Sequence, residues 1–108
     1  LTKVVALDCE MVGVGHKGEE SVLAHVCIVN AYGAVIYETH VQTVERVVDF
    51  RTKYSGVRPQ DLRSHNAKPF AQVQKEVGDI IRDRIVVGHA LENDFRVRFA
   101  YIAIQQRV

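Results

Sequence analysis

The sequence predicts an α/β domain built as a three-stranded antiparallel meander, a helix, a parallel crossover strand and a last helix. Two observations carry this reading. Three β-branched, apolar runs occupy the first forty residues. From Pro69 onward the apolar residues recur at three- and four-residue steps instead of two. Lys3 to Glu10 (KVVALDCE) reads as a strand buried on both faces near its start, with Gly13, Gly15 and Gly18 expected to break it. Val22 to Val29 is the second strand. Asn30-Ala31-Tyr32-Gly33 supplies turn chemistry, and Ala34 to His40 is the third strand, antiparallel to the second. A polar, basic connection then runs to Pro59, after which Gln60, Asp61 and Leu62 open a short helix. Phe70, Val73, Val77, Ile80 and Ile81 mark an amphipathic helix over Pro69–Asp83. Ile85-Val86-Val87 is a short strand ended by Gly88. Leu91, Phe95, Phe99 and Ile102 mark the last helix.

At 108 residues, 47% hydrophobic and 25% charged, the chain has the composition of one globular domain, which excludes disordered and collagenous classes. It holds no apolar run of the roughly 18–20 residues that a membrane-spanning helix needs. The start, Leu1-Thr2-Lys3, has neither an initiator Met nor a signal-peptide pattern, so the expectation is that it continues a longer chain. Cys9 and Cys27 form no disulfide framework and read as buried, reduced thiols, pointing weakly to the cytosol or nucleus.

Net charge is only +1, but its distribution is uneven. Residues 46–68 carry six basic side chains (Arg46, Arg51, Lys53, Arg58, Arg63, Lys68) against Asp49 and Asp61, leaving eight basic and eleven acidic residues elsewhere. On charge alone this is a solvated connecting segment first and a polyanion-facing edge second.

Three patterns bear on chemistry. Asp8 and Glu10 are two apart on a strand and so share a face. Two like charges side by side on a core strand are unfavourable unless a cation lies between them, and carboxylates favour hard divalent ions. The alternative is a strand end where both charges are simply hydrated. Gly13-Val14-Gly15-His16-Lys17-Gly18 satisfies G-x-G-x-x-G, with Glu38 twenty residues past Gly18. A strand follows where a dinucleotide site needs a helix, however, and Asp8 and Glu10 would repel a pyrophosphate. A nicotinamide enzyme is therefore a distant reading, and a flexible loop beside the site a better one. In His89-Ala90-Leu91-Glu92-Asn93-Asp94, Asp94 falls in the first turn of a helix directly after a strand. Alone it is an ordinary helix-start acid, and His89 reads equally as a loop or capping histidine. No nucleophile elbow and no zinc-type His or Cys spacing is present.

Ala6-Leu7-Asp8-Cys9-Glu10-Met11-Val12-Gly13 resembles the first motif of the DEDDh 3′→5′ exonucleases, in the branch of RNA exonuclease 4 and the interferon-stimulated exonucleases. Asp49-Phe50-Arg51-Thr52 with Ser55-Gly56-Val57-Arg58-Pro59 is similar to that branch's connection between motifs, and Val87-Gly88-His89-Ala90-Leu91-Glu92-Asn93-Asp94 to its second motif. The resemblance implies a ribonuclease H-like mixed sheet and two-metal phosphodiester hydrolysis at RNA 3′ ends, with DNA as an alternative substrate. It further implies ribosomal RNA processing in the nucleus or nucleolus. By position it makes Asp8, Glu10 and Asp94 ligands of Mg²⁺ or Mn²⁺, two ions in the intact family. It places Met11 near the terminal nucleoside and Arg51 near the terminal ribose, with His89 and Asn93 also on the substrate side. The family continues with an H-x-x-x-x-D motif, a strand and further helices. The tail 100–108 departs from it, and the sequence stops at Val108. The expectation is thus one incomplete domain over 1–108, family-like over about 4–99, with little catalysis of its own. Its uncovered last helix is expected to self-associate or to be mobile after residue 95. The alternative is an inactive short form that binds RNA or partner proteins.

Overall fold

Val4–Val14 form one eleven-residue strand, β1, in the computed structural model, which describes residues 2–63 and 65–88. The strand passes straight through Gly13 instead of breaking there. Gly13 pairs with Ser21 on one edge and Asp49 on the other, and a Cβ on it would lie 2.2 Å from the Gly18 carbonyl oxygen. Only glycine lets the loop fold back that closely. The turn falls at Gly15, whose φ is +74°, and a 3₁₀ turn over His16–Gly18 leads into β2, Glu20–Asn30.

β2 runs antiparallel to β1 and to β3, Val35–Val41. The hairpin between them is as expected. The Asn30 side-chain oxygen accepts from the Tyr32 and Ala34 amides at 2.9 and 3.0 Å, and Gly33 takes φ +83°. The basic connection holds more structure than the sequence suggested. It contains β4 (Val47–Asp49), a single helical turn α1 (Thr52–Ser55), a 3₁₀ turn (Pro59–Leu62) where a short helix was expected, and β5 (Ala67–Lys68). Elements of two to four residues are too short to show a period, so the pattern could not reveal them.

Helix α2 spans Phe70–Ile81 and stops two residues before the expected end, because Arg82 is extended and Asp83 takes φ +60°. Its buried residues Val73, Val77 and Ile81 are spaced by four and form one stripe. β6, Ile85–Val87, pairs parallel to β1 through Val4, Val5 and Ala6. The sheet order is β4-β1-β2-β3-β5, with β6 beside the start of β1. The anticipated last helix lies outside the described residues. No helix among the described residues is long and apolar enough to cross a membrane.

Two apolar clusters separate the faces of the sheet. On one face Val5 and Leu7 of β1, Leu23, Val26 and Ile28 of β2, and Val41 of β3 pack against the stripe of α2. Each such side chain contributes about 1.5–3 kcal/mol by leaving water. On the other face Val12, Ala24 and Val57 form a smaller cluster, closed by Val47, Phe50 and Leu62 from the connection. The connection therefore folds over one end of the face that α2 leaves open.

A polar clasp ties α2 to the far edge of the sheet. Tyr37 Oη and Lys68 Nζ both donate to Glu76 Oε1 at 2.8 Å, and Gln72 Nε2 donates to Oε2 at 3.1 Å. The hydrogen bond from Lys68, followed by those from Tyr37 and Gln72, holds the Glu76 carboxyl at about 2. Burial, and then the bond to Glu76, push the Tyr37 phenol well above its ordinary value. A depressed carboxyl stabilises the folded state above its unfolded value of 4.5, and that contribution is lost as pH falls toward about 2. Glu76→Gln should therefore lower the melting temperature at pH 7, and thermal melts should show the gap to wild type closing as pH falls from 4.5 toward 2.

Candidate active site

The alternation along β1 separates its residues by function. Val5, Leu7, Cys9 and Met11 face the α2-covered core, so Asp8 and Glu10 face the opposite side of the sheet. Asp8 is exposed and Glu10 half-buried. On the β1 edge away from β2, the ladder to β6 ends at Ala6 and the ladder to β4 starts at Gly13. Among the described residues none pairs with Leu7–Val12 on that edge, so the strand is open beside both carboxylates. The register to β2 also slips between Glu10 and Met11, leaving Ala24 as an extra residue on β2. Such bulges re-aim side chains next to functional sites.

The carboxylates lie in a field that calls for positive charge. Burial first, then the Asp8 carboxylate, push the Glu10 carboxyl above its ordinary value, while His25 pulls it down. A cation between the two groups would remove that penalty, and two hard oxygen donors suit Mg²⁺ or Mn²⁺. Among the described residues no group of three His, Cys, Asp or Glu side chains is gathered as a metal cage. The third expected donor, Asp94, lies outside the described residues, as do His89 and Asn93. Val87 pairs with Ala6, so β6 ends level with Leu7 and Asp8.

A polar row continues from this pair across the open face. Asp8 lies opposite Cys27 and Glu10 opposite His25 on β2; these lie opposite Glu38 and His40 on β3. His25 Nε2 is 2.9 Å from Glu38 Oε2, and the His25 and His40 rings are 4.7 Å apart. His40 Nε2 reaches Asp61 Oδ2 at 3.8 Å. Burial and His25 lower the His40 pKa against the pull of Asp61, whereas burial, Glu38 and Asp8 raise the Cys27 thiol. Sequence reasoning missed His25, Glu38, His40 and Asp61. The signal for three of them is the two-residue spacing of polar groups on β2 and β3, which matches that of Asp8 and Glu10.

Two residues assigned to substrate make internal contacts. Met11 is half-buried against the main core. Arg51, at φ +53°, donates from Nη1 to Ser21 Oγ at 2.7 Å and from Nη2 to the Gly18 carbonyl at 2.9 Å. Its amide donates to Asp49 Oδ1 at 2.9 Å. Arg51 thus braces the glycine loop at the end of β1.

The Exonuclease family model (RNase_T) matches residues 5–104. The chain belongs to the exonuclease family. It is 54% identical over 99 residues to RNA exonuclease 4 of Xenopus laevis, covering 92% of this chain and 23% of that protein. It is 52% identical to the human RNA exonuclease 4, with the same coverage of each chain. RNA exonuclease 4 of Saccharomyces cerevisiae is 47% identical over 92 residues, 85% of this chain and 31% of that one. The chain thus spans between about a quarter and a third of these relatives. Among solved structures, the exonuclease fold is similar to the Saccharomyces cerevisiae PAN2 pseudoubiquitin-hydrolase–RNase module. The TM-score is 0.73 at 26% identity, over 88% of this chain and 18% of that one. The same yeast module, solved in complex with AAUUAA RNA, gives a TM-score of 0.74 at 24% identity, covering 89% of this chain and 19% of that one. The fold is therefore the mixed, curled, ribonuclease H-like sheet of this exonuclease domain.

Proposed function

We propose that this exonuclease chain acts on RNA, removing nucleotides from the 3′ end by hydrolysis. The observation that carries the reading is the Asp8–Glu10 pair on the face of β1 away from α2, where no described residue pairs with the strand edge and the second motif begins at β6. Its relatives are named RNA exonuclease 4, and a module of the same fold binds RNA. Asp8, Glu10 and Asp94 would hold Mg²⁺ or Mn²⁺, which when bound supplies water activation and charge neutralisation at the leaving 3′-oxygen. The reaction adds water to the last phosphodiester: the phosphorus–O3′ bond breaks, and the released 3′-oxygen takes a proton. The chain's own part is to aim two carboxylates from a rigid strand toward the end of the RNA. Arg51 holds the glycine loop next to this site and, on this proposal, stands near the terminal ribose, whereas Met11 packs into the core on the other face of β1. Ribosomal RNA in the nucleus is the substrate and place that the resemblance implies.

Residues 95–108 contain no histidine, so on this proposal the 108 residues alone hydrolyse slowly. The test is 5′-labelled single-stranded RNA incubated with Mn²⁺ and this chain, beside the chain extended by a family-like C-terminal segment. Single-nucleotide shortening from the 3′ end is expected in both, faster in the extended chain by about 10²–10⁴-fold, the usual worth of a general base. Internal cuts, or no shortening in either, would overturn the reading.

A further inference from the structure

We propose that the cleft between residues 43–47 and the Pro59–Arg63 segment is a second contact for the RNA strand, upstream of the end held at Asp8 and Glu10; this rests on the RNA reading above. The cleft has a volume of about 570 Å³ and is open to solvent. Val47, Phe50, Pro59 and Leu62 supply its apolar lining, and Arg46 and Arg63 add two guanidinium groups against the single acid Glu45. Aromatic and apolar surface interleaved with cations is what a single strand requires: the bases need a flat apolar partner and the phosphates need positive charge.

The local charges are arranged to leave these two arginines available. Both acids of the basic segment are engaged by other groups. Asp49 accepts from the Arg51 amide, and Asp61 accepts from the Arg58 amide at 2.9 Å and from its guanidinium at 3.4 Å. Arg46 and Arg63 are exposed, and among the described residues neither forms a salt bridge. Two of the six basic side chains of residues 46–68 thus stand at the cleft.

Its position fits a strand leaving the candidate active site. Val12 is two residues past Glu10 on the same face of β1, and it packs in the cluster that Val47, Phe50 and Leu62 close. Val47 pairs with Val14, four residues beyond Glu10 and so roughly 13 Å along the strand. The cleft and the carboxylates thus share one face. An RNA longer than a dinucleotide can occupy both, whereas a dinucleotide at the carboxylates stops short of the cleft. The lining favours single strands, because a paired helix presents no free base to it.

The experiment compares a 12-nucleotide single-stranded RNA with a dinucleotide, by fluorescence anisotropy with Ca²⁺ replacing Mn²⁺. The wild-type chain is compared with the Arg46→Gln/Arg63→Gln double variant. The expected result is a loss of about tenfold for the 12-mer and a salt slope shallower by about 1.4, two phosphate contacts at roughly 0.7 each. Dinucleotide affinity, Mn²⁺ affinity and the melting temperature should be unchanged. An undiminished 12-mer affinity, or an equal loss on the dinucleotide, would overturn the cleft while leaving the RNA reading intact. Competition by polyglutamate as strong as that by unlabelled RNA would reassign the cleft to acidic peptides. A wild-type chain that binds neither RNA would remove both proposals together.

Discussion

Glu10→Gln is expected to slow 3′-end trimming by at least about 10²-fold, the penalty that a misplaced reacting group commonly carries. Gln keeps the volume and the polar reach of Glu but removes the charge that would hold the cation. The same change should leave stability intact or raise it. Burial and Asp8 lift the Glu10 carboxyl in the folded chain, so its ionised form at neutral pH works against folding. Its neutral analogue is free of that cost. Activity assays and thermal melts on one preparation should therefore move in opposite directions, or the melts should not move at all. A fall in both together would make Glu10 a structural residue.

Ile28→Ala should have the largest effect on the fold. Ile28 is fully buried near the end of β2, on the face that α2 covers. β1 and β3 flank it through Leu7 and Tyr37, so no mobile segment stands ready to collapse into the space. Large-to-small changes at such sites cost about 2–5 kcal/mol, against a total of roughly 5–15 kcal/mol for a domain. The melting temperature should drop by on the order of 10 °C or more. Tyr32→Ala, in the hairpin turn and 88% exposed, should leave it within error. Denaturant titration of both variants checks the contrast.

Much of this architecture is legible in the sequence, and what is not has a physical reason. β2, β3, α2 and β6 announce themselves because their apolar periods or runs are bounded by turn residues such as Asn30, Gly33 and Gly88. β4, α1 and β5 do not, since two to four residues are held by their neighbours and not by a pattern of their own. Gly13 misleads for a related cause. Glycine reads as a breaker, yet here its missing Cβ is what keeps the strand going under the Gly18 carbonyl. The carboxylate pair was readable because Asp8 and Glu10 lie on a single strand. The row through His25, Glu38, His40 and Asp61 was not, because it assembles only once three strands and a turn have found their register. Arg51 shows the limit of resemblance: the motif marks it, but only the structure reveals that its guanidinium braces the glycine loop.

Asp8 and Glu10 are proposed to form a divalent-cation site on the face of β1 away from α2. Its most direct test is calorimetric titration of Mn²⁺ into the wild-type chain and into Asp8→Asn, with no nucleic acid present. Saturable binding to the wild type is expected, with an affinity at least about tenfold lower in the variant, where one of two adjacent charged donors has become neutral. Equal affinity for the two chains would contradict it.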